Sequence, residues 1–486
     1  MTIEYRRMEP PSEQEMRVMR EAHARFSEQL LKLPGIHGVG IGYKITDGKN
    51  TGELALIVRV YNKQKKSEVD PRELIPPEFS FFSTIRNETV VVPTDVQERP
   101  KPVEYPHIAN NALEARVRPV RGGYSIGLNG GDTGTIGGWV WDDTNNQIVL
   151  LTNNHVLGGT VGGDVLQPGP FHAGVFPADH CADVVRTGTL DATIAVPINS
   201  SDVELEIEGI GSAVYETAQP VLNMLVEKSG ARTEHTTGWI SMVNYNSGHY
   251  GSTNDFEVLP DAGIARFAYY GDSGSLIVER TNPSGSSWKR VIGLLWGGDP
   301  GGDPPIGNAY AHIMGDVFVD LNLKTVCAGI VEEIIEDVFN YSYAEFAKGD
   351  RILQPRHQPE MLQTLVPIPS SRLYRNISRD LEKQLLAYKN GKRASELLHA
   401  NRVQILELLR DNEVRRALVA SVSPFIRDAW TTDEILHRVI TDEDADNFDR
   451  FLTIVAKRQP NLTEPLRFAH EILELARGNR LSEILG

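Results

Sequence analysis

Glycine is spread so unevenly along this chain that it divides the fold before any other pattern is read. Thirty-one of the 43 glycines fall between Gly122 and Gly307, and residues 392 to 477 contain none. Glycine costs about 0.5–1 kcal/mol against alanine inside a helix but is at home where a chain reverses sharply. A glycine-dense stretch broken by short apolar runs, such as Ile148-Val149-Leu150-Leu151, therefore predicts short antiparallel strands joined by tight turns. The glycine-free stretch predicts the opposite. It carries Leu397, Leu398, Ile405, Leu408 and Leu409, and later Phe448, Phe451, Leu452 and Val455, at helical spacing.

The flanks fill in the plan. Met16, Val18, Met19, Ala22 and Phe26 predict an amphipathic helix ending before Pro34-Gly35. Two β-rich runs follow, Gly38 to Ile45 and Leu54 to Tyr61, around an Asp47-Gly48-Lys49-Asn50 turn. Pro71 to Leu74 can open a short helix, and Thr89 to Val92 reads as a strand. Gln97 to Pro106 is rich in proline and charge and reads as a linker. Val317 to Leu323 is expected to be the last strand of the glycine-rich region, followed by a helix over 329–340 and a proline-rich connector. In the C-terminal region about six short helices are expected. Thr431-Thr432-Asp433-Glu434 opens one that carries Leu436, Val439 and Ile440, and Thr441 to Asp444 opens another. Thr463 is placed to cap a helix with Pro465 in its first turn and Gly478 just past its end.

Chemistry concentrates in three places. Gly271-Asp272-Ser273-Gly274-Ser275 sets a serine in a turn that two glycines allow to be sharp. The amides of Gly271 and Ser273 can converge there on an oxygen that becomes an oxyanion. His155 ends the apolar run Val149-Leu150-Leu151 after a Thr152-Asn153-Asn154 step. Asp191 is the one acid in Leu190-Asp191-Ala192-Thr193-Ile194-Ala195-Val196, where a carboxylate needs a donor such as an imidazole N–H. A serine attacks poorly until a base takes its proton, and His155 held by Asp191 would be that base. Asp183, also in an apolar stretch, rivals Asp191 for the acid's place. The order His, Asp, Ser is one of three that occur with this geometry.

The segments TNNHVL, LDATIAV and GDSGS, in that order, resemble the catalytic segments of trypsin/chymotrypsin-like serine proteases over roughly residues 118 to 325. Gly293-Leu294-Leu295-Trp296-Gly297 resembles the family's substrate-backbone strand. Asn308-Ala309-Tyr310-Ala311 resembles the strand behind its specificity pocket. The resemblance implies His155, Asp191 and Ser273 as the triad and Gly271 and Ser273 as the oxyanion hole. It implies Phe267, Leu295, Trp296 and Gly297 as substrate-binding residues. Phe267 stands where trypsin-like members place the acid of the pocket floor, which argues against simple Arg/Lys selection; Asp299 and Asp303 could add charge from a solvated rim. In secreted relatives the acid before the serine pairs with a new N-terminal amine. Here Asp272 must find another donor, or its loop forms only with a partner. Gly38-Val39-Gly40-Ile41-Gly42-Tyr43-Lys44 resembles the N-terminal part of bacterial relatives of plant narrow-leaf trypsin-like proteases.

The expected fold is thus an all-β chymotrypsin-like double β-barrel, flanked by a small α+β N-terminal module and an all-α C-terminal bundle. The expected boundaries are 1–105 for the module, 106–345 for the protease domain, 346–370 for a linker and 371–486 for the helical domain. Net charge is −16, with Asp+Glu 65 against Lys+Arg 49, which disfavours nucleic acid and anionic membrane as partners. Two cysteines, Cys181 and Cys327, do not make the disulfide framework usual in secreted relatives. With no apolar segment behind the N-terminus and no run of about 18 apolar residues, a soluble, cytoplasmic, prokaryotic protein is expected. His172, His180, Cys181 and Asp183 fit no ligand spacing well, so neither metal nor cofactor is expected. The partners expected are a protein or peptide substrate and a protein docked on residues 371–486. A helical module of the death-fold or effector-associated type joined to such a protease resembles proteins of bacterial antiviral defence. The competing reading is a scaffold whose barrel binds peptide without cutting it.

Overall fold

The first helix begins where Ser12 and Glu15 cap one another: the Ser12 hydroxyl accepts from the Glu15 amide and Glu15 Oε2 accepts from the Ser12 amide at 2.8 Å. The computed structural model describes residues 10–104, 112–211, 214–246, 254–281, 289–299, 307–326, 388–409, 411–427 and 436–485. The described residues through Val326 form one compact unit and those from 388 onward another.

In the first unit α1 (Glu13–Leu31) is followed by β1 (Ile36–Thr46), β2 (Lys49–Val60), β3 (Glu78–Ser83), β4 (Glu88–Glu98) and β5 (Val103–Glu104). Asp47 and Gly48 both take positive φ, the geometry of the tight turn expected between β1 and β2. β2 pairs in parallel with β4, and β4 antiparallel with β3. α1 lays Met16, Met19 and Ala22 against Ile41, Leu56 and Phe81, and Phe26 stacks on Phe79 at 4.2 Å. Residues 71–73 form turns rather than a helix.

Next come β6 (Val120–Gly122), β7 (Ser125–Leu128), β8 (Thr133–Thr135), β9 (Gly138–Asp142) and β10 (Gln147–Thr152). The short α2 (Asn154–Leu157) precedes β11 (Asp164–Leu166), β12 (His180–Thr187), β13 (Thr193–Pro197), β14 (Val203–Ile207) and β15 (Val214–Thr217). The remaining strands are β16 (Leu225–Gly230), β17 (Glu234–Asn246), β18 (Asp255–Pro260), β19 (Leu276–Glu279), β20 (Lys289–Gly298), β21 (Ala309–Ile313) and β22 (Leu323–Lys324). The order β16-β19-β20-β21-β18-β17 closes on itself through β16–β17, making a six-stranded antiparallel barrel. The order β22-β9-β10-β13-β12-β11-β7-β8 is an antiparallel sheet that stays open among the described residues. The molecule is therefore mostly β, with one closed barrel and one half-barrel where two barrels were expected.

Two expectations fail for clear reasons. Residues 314–320 are helix α3 (Met314–Asp320), not a strand. Met314, Val317 and Leu321 recur at helical spacing and are buried, whereas Val319 is 84% exposed; the alternation Val-Phe-Val concealed this. Of the expected linker, the described residues 97–104 are not simply a linker, because Gln97 and Glu98 end β4 and β5 pairs with β20. Moreover β1 pairs with β17, so the N-terminal strands continue the barrel wall, and their apolar residues share one core with Ile240, Phe256, Phe267 and Leu295.

The second unit holds six helices among the described residues: α4 (Lys389–Ala400), α5 (Arg402–Leu409), α6 (Asn412–Arg427), α7 (Asp442–Arg458), α8 (Thr463–Ala476) and α9 (Leu481–Leu485). Thr441 and Asp444 form the capping box of α7. α8 is capped by Leu462 without a side-chain bond, so Thr463 is its first residue rather than its cap; Gly478 follows at φ 76°. Val439 and Ile440 make isolated bridges to Arg480 and Arg477 instead of extending a helix. Leu408, Val414, Val455 and Leu462 form one small core and Ile440, Ala445, Ala476 and Ile484 another. The expected helix over 329–340, the connector and the Thr431–Glu434 start lie outside the described residues. No described helix is long and apolar enough to cross a membrane.

Candidate active site

Buried polar backbone must be paired, and at the centre of the first unit one threonine does much of that pairing. Thr135 N donates to Ser273 O at 2.8 Å, and Thr135 Oγ1 donates to Gly271 O at 2.7 Å. Thr135 Oγ1 also accepts from Ala231 N, and Thr135 O accepts from Thr152 Oγ1. The turn carrying Ser273 is thereby tied to β8, to the strand end before His155 and to the β16–β17 hairpin. Gly271 and Gly274 take φ of 98° and 95°, and a Cβ on Gly274 would run into Thr152 Oγ1 and Thr135 O. Both glycines are therefore required by the turn.

His155 lies in α2, which Gly158 ends in a left-handed conformation. Its Nδ1 donates to Asp191 Oδ2 at 2.5 Å and its amide to Asp191 Oδ1 at 2.9 Å. Asn153 Nδ2 donates to Asp191 O at 2.7 Å, so the Asn before α2 holds the acid's backbone. Asp191 is 2% exposed. The rival Asp183 bonds His180 instead, at 2.8 Å.

The serine is close to this pair but not bonded to it. A Cβ on Gly134 would sit 2.8 Å from Ser273 O and 2.5 Å from Val156 Cγ2, so the serine and the residue after His155 flank one glycine. Ser273 Oγ donates to Trp296 O at 3.3 Å, while His155 Nε2 is buried with no hydrogen-bond partner among the described residues. The amides of Gly271 and Ser273 likewise have no acceptor among the described residues.

Asp272 has the other donor that the sequence left open. Its carboxylate accepts from the amides of Arg232, Thr233 and Tyr269, from Thr233 Oγ1 at 2.7 Å, and from Lys228 Nζ at 3.2 Å. Both side chains of the ion pair are fully buried. Burial pushes the Lys228 ammonium below its ordinary pKa, against the pull of Asp272. Lys228 lies on the β16–β17 hairpin, in register Lys228↔Thr236.

The residues expected to bind substrate are all buried. Phe267 is fully buried in the apolar core, its amide bonded to Gly307 O. Leu295 is buried in the same core, and Trp296 is buried among Ala55, Ile57, Met242, Tyr245 and Tyr310. Gly297 pairs with Tyr310 on one side and Glu104 on the other. Asp299 is not a solvated rim acid, because it is 3% exposed and its Oδ2 accepts from Asn308 Nδ2 at 3.1 Å. Burial, with the Glu257 carboxylate beside it, pushes the Asp299 carboxyl up to about 7. Asp303 lies outside the described residues. Glu257 accepts from Arg59 Nη2 at 2.7 Å, Asn308 Nδ2 at 2.9 Å and Tyr310 OH at 3.1 Å. Burial works against its charge, but Arg59 holds the carboxyl below its ordinary pKa. Of the residues considered for metal, His172 bonds Ser125 and Glu114 and Cys181 donates to Val165 O, while Asp164, His180 and Asp183 cluster together.

The site is thus a His–Asp pair set beside a serine turn at the meeting of a closed barrel and an open sheet. No protein-family model matches the chain, and no curated protein sequence matches it. Among solved structures it is similar to Protease A of Thermobifida fusca, at 17% identity over 42% of this chain and 97% of that one, with a TM-score of 0.32. It is similar to the Cellulomonas bogoriensis chymotrypsin, at 16% identity over 42% and 97%, with a TM-score of 0.32. A glutamic acid specific serine protease is similar at 18% identity over 42% and 100%, again with a TM-score of 0.32.

Proposed function

We propose that this protein is a serine endopeptidase in which Ser273 attacks a peptide carbonyl, His155 takes and returns the proton, and Asp191 fixes the imidazole. The observation that carries the reading is the buried Asp191 bonded to His155 Nδ1 at 2.5 Å, beside a serine in a two-glycine turn. With Nδ1–H committed to Asp191, Nε2 is the basic nitrogen, and it is the one without a partner among the described residues. The hydroxyl must turn from Trp296 O to Nε2 for attack; apo sites commonly tighten in this way when substrate arrives. The Gly271 and Ser273 amides would stabilise the tetrahedral oxyanion, an acyl-enzyme would form, and water activated by His155 would release it. The pairing of Lys228 with Asp272 supports a turn that needs no freed N-terminal amine. The helical bundle of the second unit supports the further reading that residues 371–486 dock a regulatory partner in the cytoplasm of a bacterium, in antiviral defence.

One observation favours the scaffold reading: Ser273 Oγ is bonded to Trp296 O, not to His155. The two readings separate in a cleavage-site comparison of a peptide library treated with wild type, Ser273→Ala or His155→Ala protein. Endopeptidase action predicts new termini with wild type alone; equal termini in all three would leave the scaffold.

A further inference from the structure

β20 offers two edges, and their occupants show where an extended peptide must lie. β21 covers one edge from Gly293 to Gly297. On the other, β19 pairs as far as Leu294, and Leu295 then exchanges bonds with the serine turn: Gly274 N donates to Leu295 O at 2.9 Å and Leu295 N to Ser275 O at 3.0 Å. Beyond that point the same edge is taken by β5, with Glu104 opposite Gly297 and Val103 opposite Gly298. The pairing is antiparallel, so the chain advances from Val103 to Glu104 toward Trp296, whose carbonyl holds Ser273 Oγ. A substrate strand seeking backbone bonds next to this nucleophile needs the edge that β5 fills.

Resting on the endopeptidase reading, we propose that Val103–Glu104 is a strap that occupies the substrate edge in cis, so that the protein is autoinhibited until the strap is displaced. The strap is anchored on its N-terminal side. Arg99 N donates to Val60 O at 3.0 Å, and Arg99 O accepts from His37 at 2.8 Å. Between this anchor and β5 lie only Pro100, Lys101 and Pro102. Two prolines in three residues leave little freedom to lose on docking, and so short a tether gives a high local concentration.

The test uses the full chain. In Val103→Pro/Glu104→Pro two backbone donors are lost and the strand cannot form. In Pro100→Gly/Pro102→Gly the tether is loosened and β5 is left intact; melting curves check that both variants fold. The readouts are turnover of a quenched-fluorescent peptide library and labelling of Ser273 by a small fluorophosphonate, which needs no backbone edge. Peptide turnover is expected to rise about tenfold in the first variant, as when an open state goes from a tenth populated to fully populated, and by less in the second. Labelling is expected to change much less than turnover. Labelled proteins with unchanged peptide turnover would overturn the strap and leave the endopeptidase standing. If no variant is labelled, the endopeptidase reading fails instead. The strap is then decided by library binding to Ser273→Ala with and without the proline pair, where equal affinity overturns it.

Discussion

Lys228 has no contact with the nucleophile, yet it holds the charge on which the nucleophile's turn depends. Removing one partner of a buried ion pair leaves the other charged and unsolvated, so Lys228→Met is expected to cost about 3–5 kcal/mol, measured by denaturant unfolding. Gly274→Ala is expected to abolish activity, because its Cβ meets Thr152 and Thr135 at positive φ. Asp299 sets a pH dependence. Folded, it keeps its proton up to about 7; unfolded, it loses it near an ordinary value of 3.8. In that window the folded state binds more protons, so stability falls as pH rises. His312, held above its ordinary pKa by Asp255 against burial, adds to the fall above its unfolded value of 6.5. Asp299→Asn should flatten the loss between pH 5 and 8 by on the order of 1–3 kcal/mol, read from unfolding curves at each pH. An equally steep loss in the variant would place the titration elsewhere.

Elements show why some of this was legible in the sequence and some was not. The His155 and Ser273 segments could be read because their residue types and neighbours are unusual, and the β1–β2 hairpin because Asp47-Gly48 dictates its turn. Thr441 and Asp444 announced α7, and Thr441→Ala should cost the second unit about 1 kcal/mol of stability, seen as a lower melting midpoint. α3 reads as a strand in the sequence because its exposed Val319 fits a period of two as well as its buried residues fit helical spacing. β5 and Lys228 gain their meaning only from partners remote in sequence, Gly297 and Asp272, which local pattern does not reveal. Asp299 sits among glycines and prolines, a composition that suggests solvent. It is buried because β2 delivers Arg59 beside Glu257, itself bonded to Asn308.

Across the first unit, the N-terminal strands and the barrel share a sheet through β1–β17 and a core through Ile41, Leu56 and Ile240. Arg59 on β2 and Glu257 on β18 seal that junction, with side chains 4% and 2% exposed. Arg59→Met is therefore expected to weaken the whole unit by about 3–5 kcal/mol rather than to free a module, giving one shifted transition in calorimetry. The sheet, the hairpin bearing Lys228 and the open sheet whose strand β10 leads into His155 on α2 converge on one serine turn. Intact-mass analysis after incubation with a fluorophosphonate, on the full chain and on Val103→Pro/Glu104→Pro, tests that convergence most directly. A single adduct mapped to Ser273 and lost in His155→Ala is the predicted result. No adduct in either protein, or one that survives His155→Ala unchanged, would contradict a nucleophile activated by this histidine.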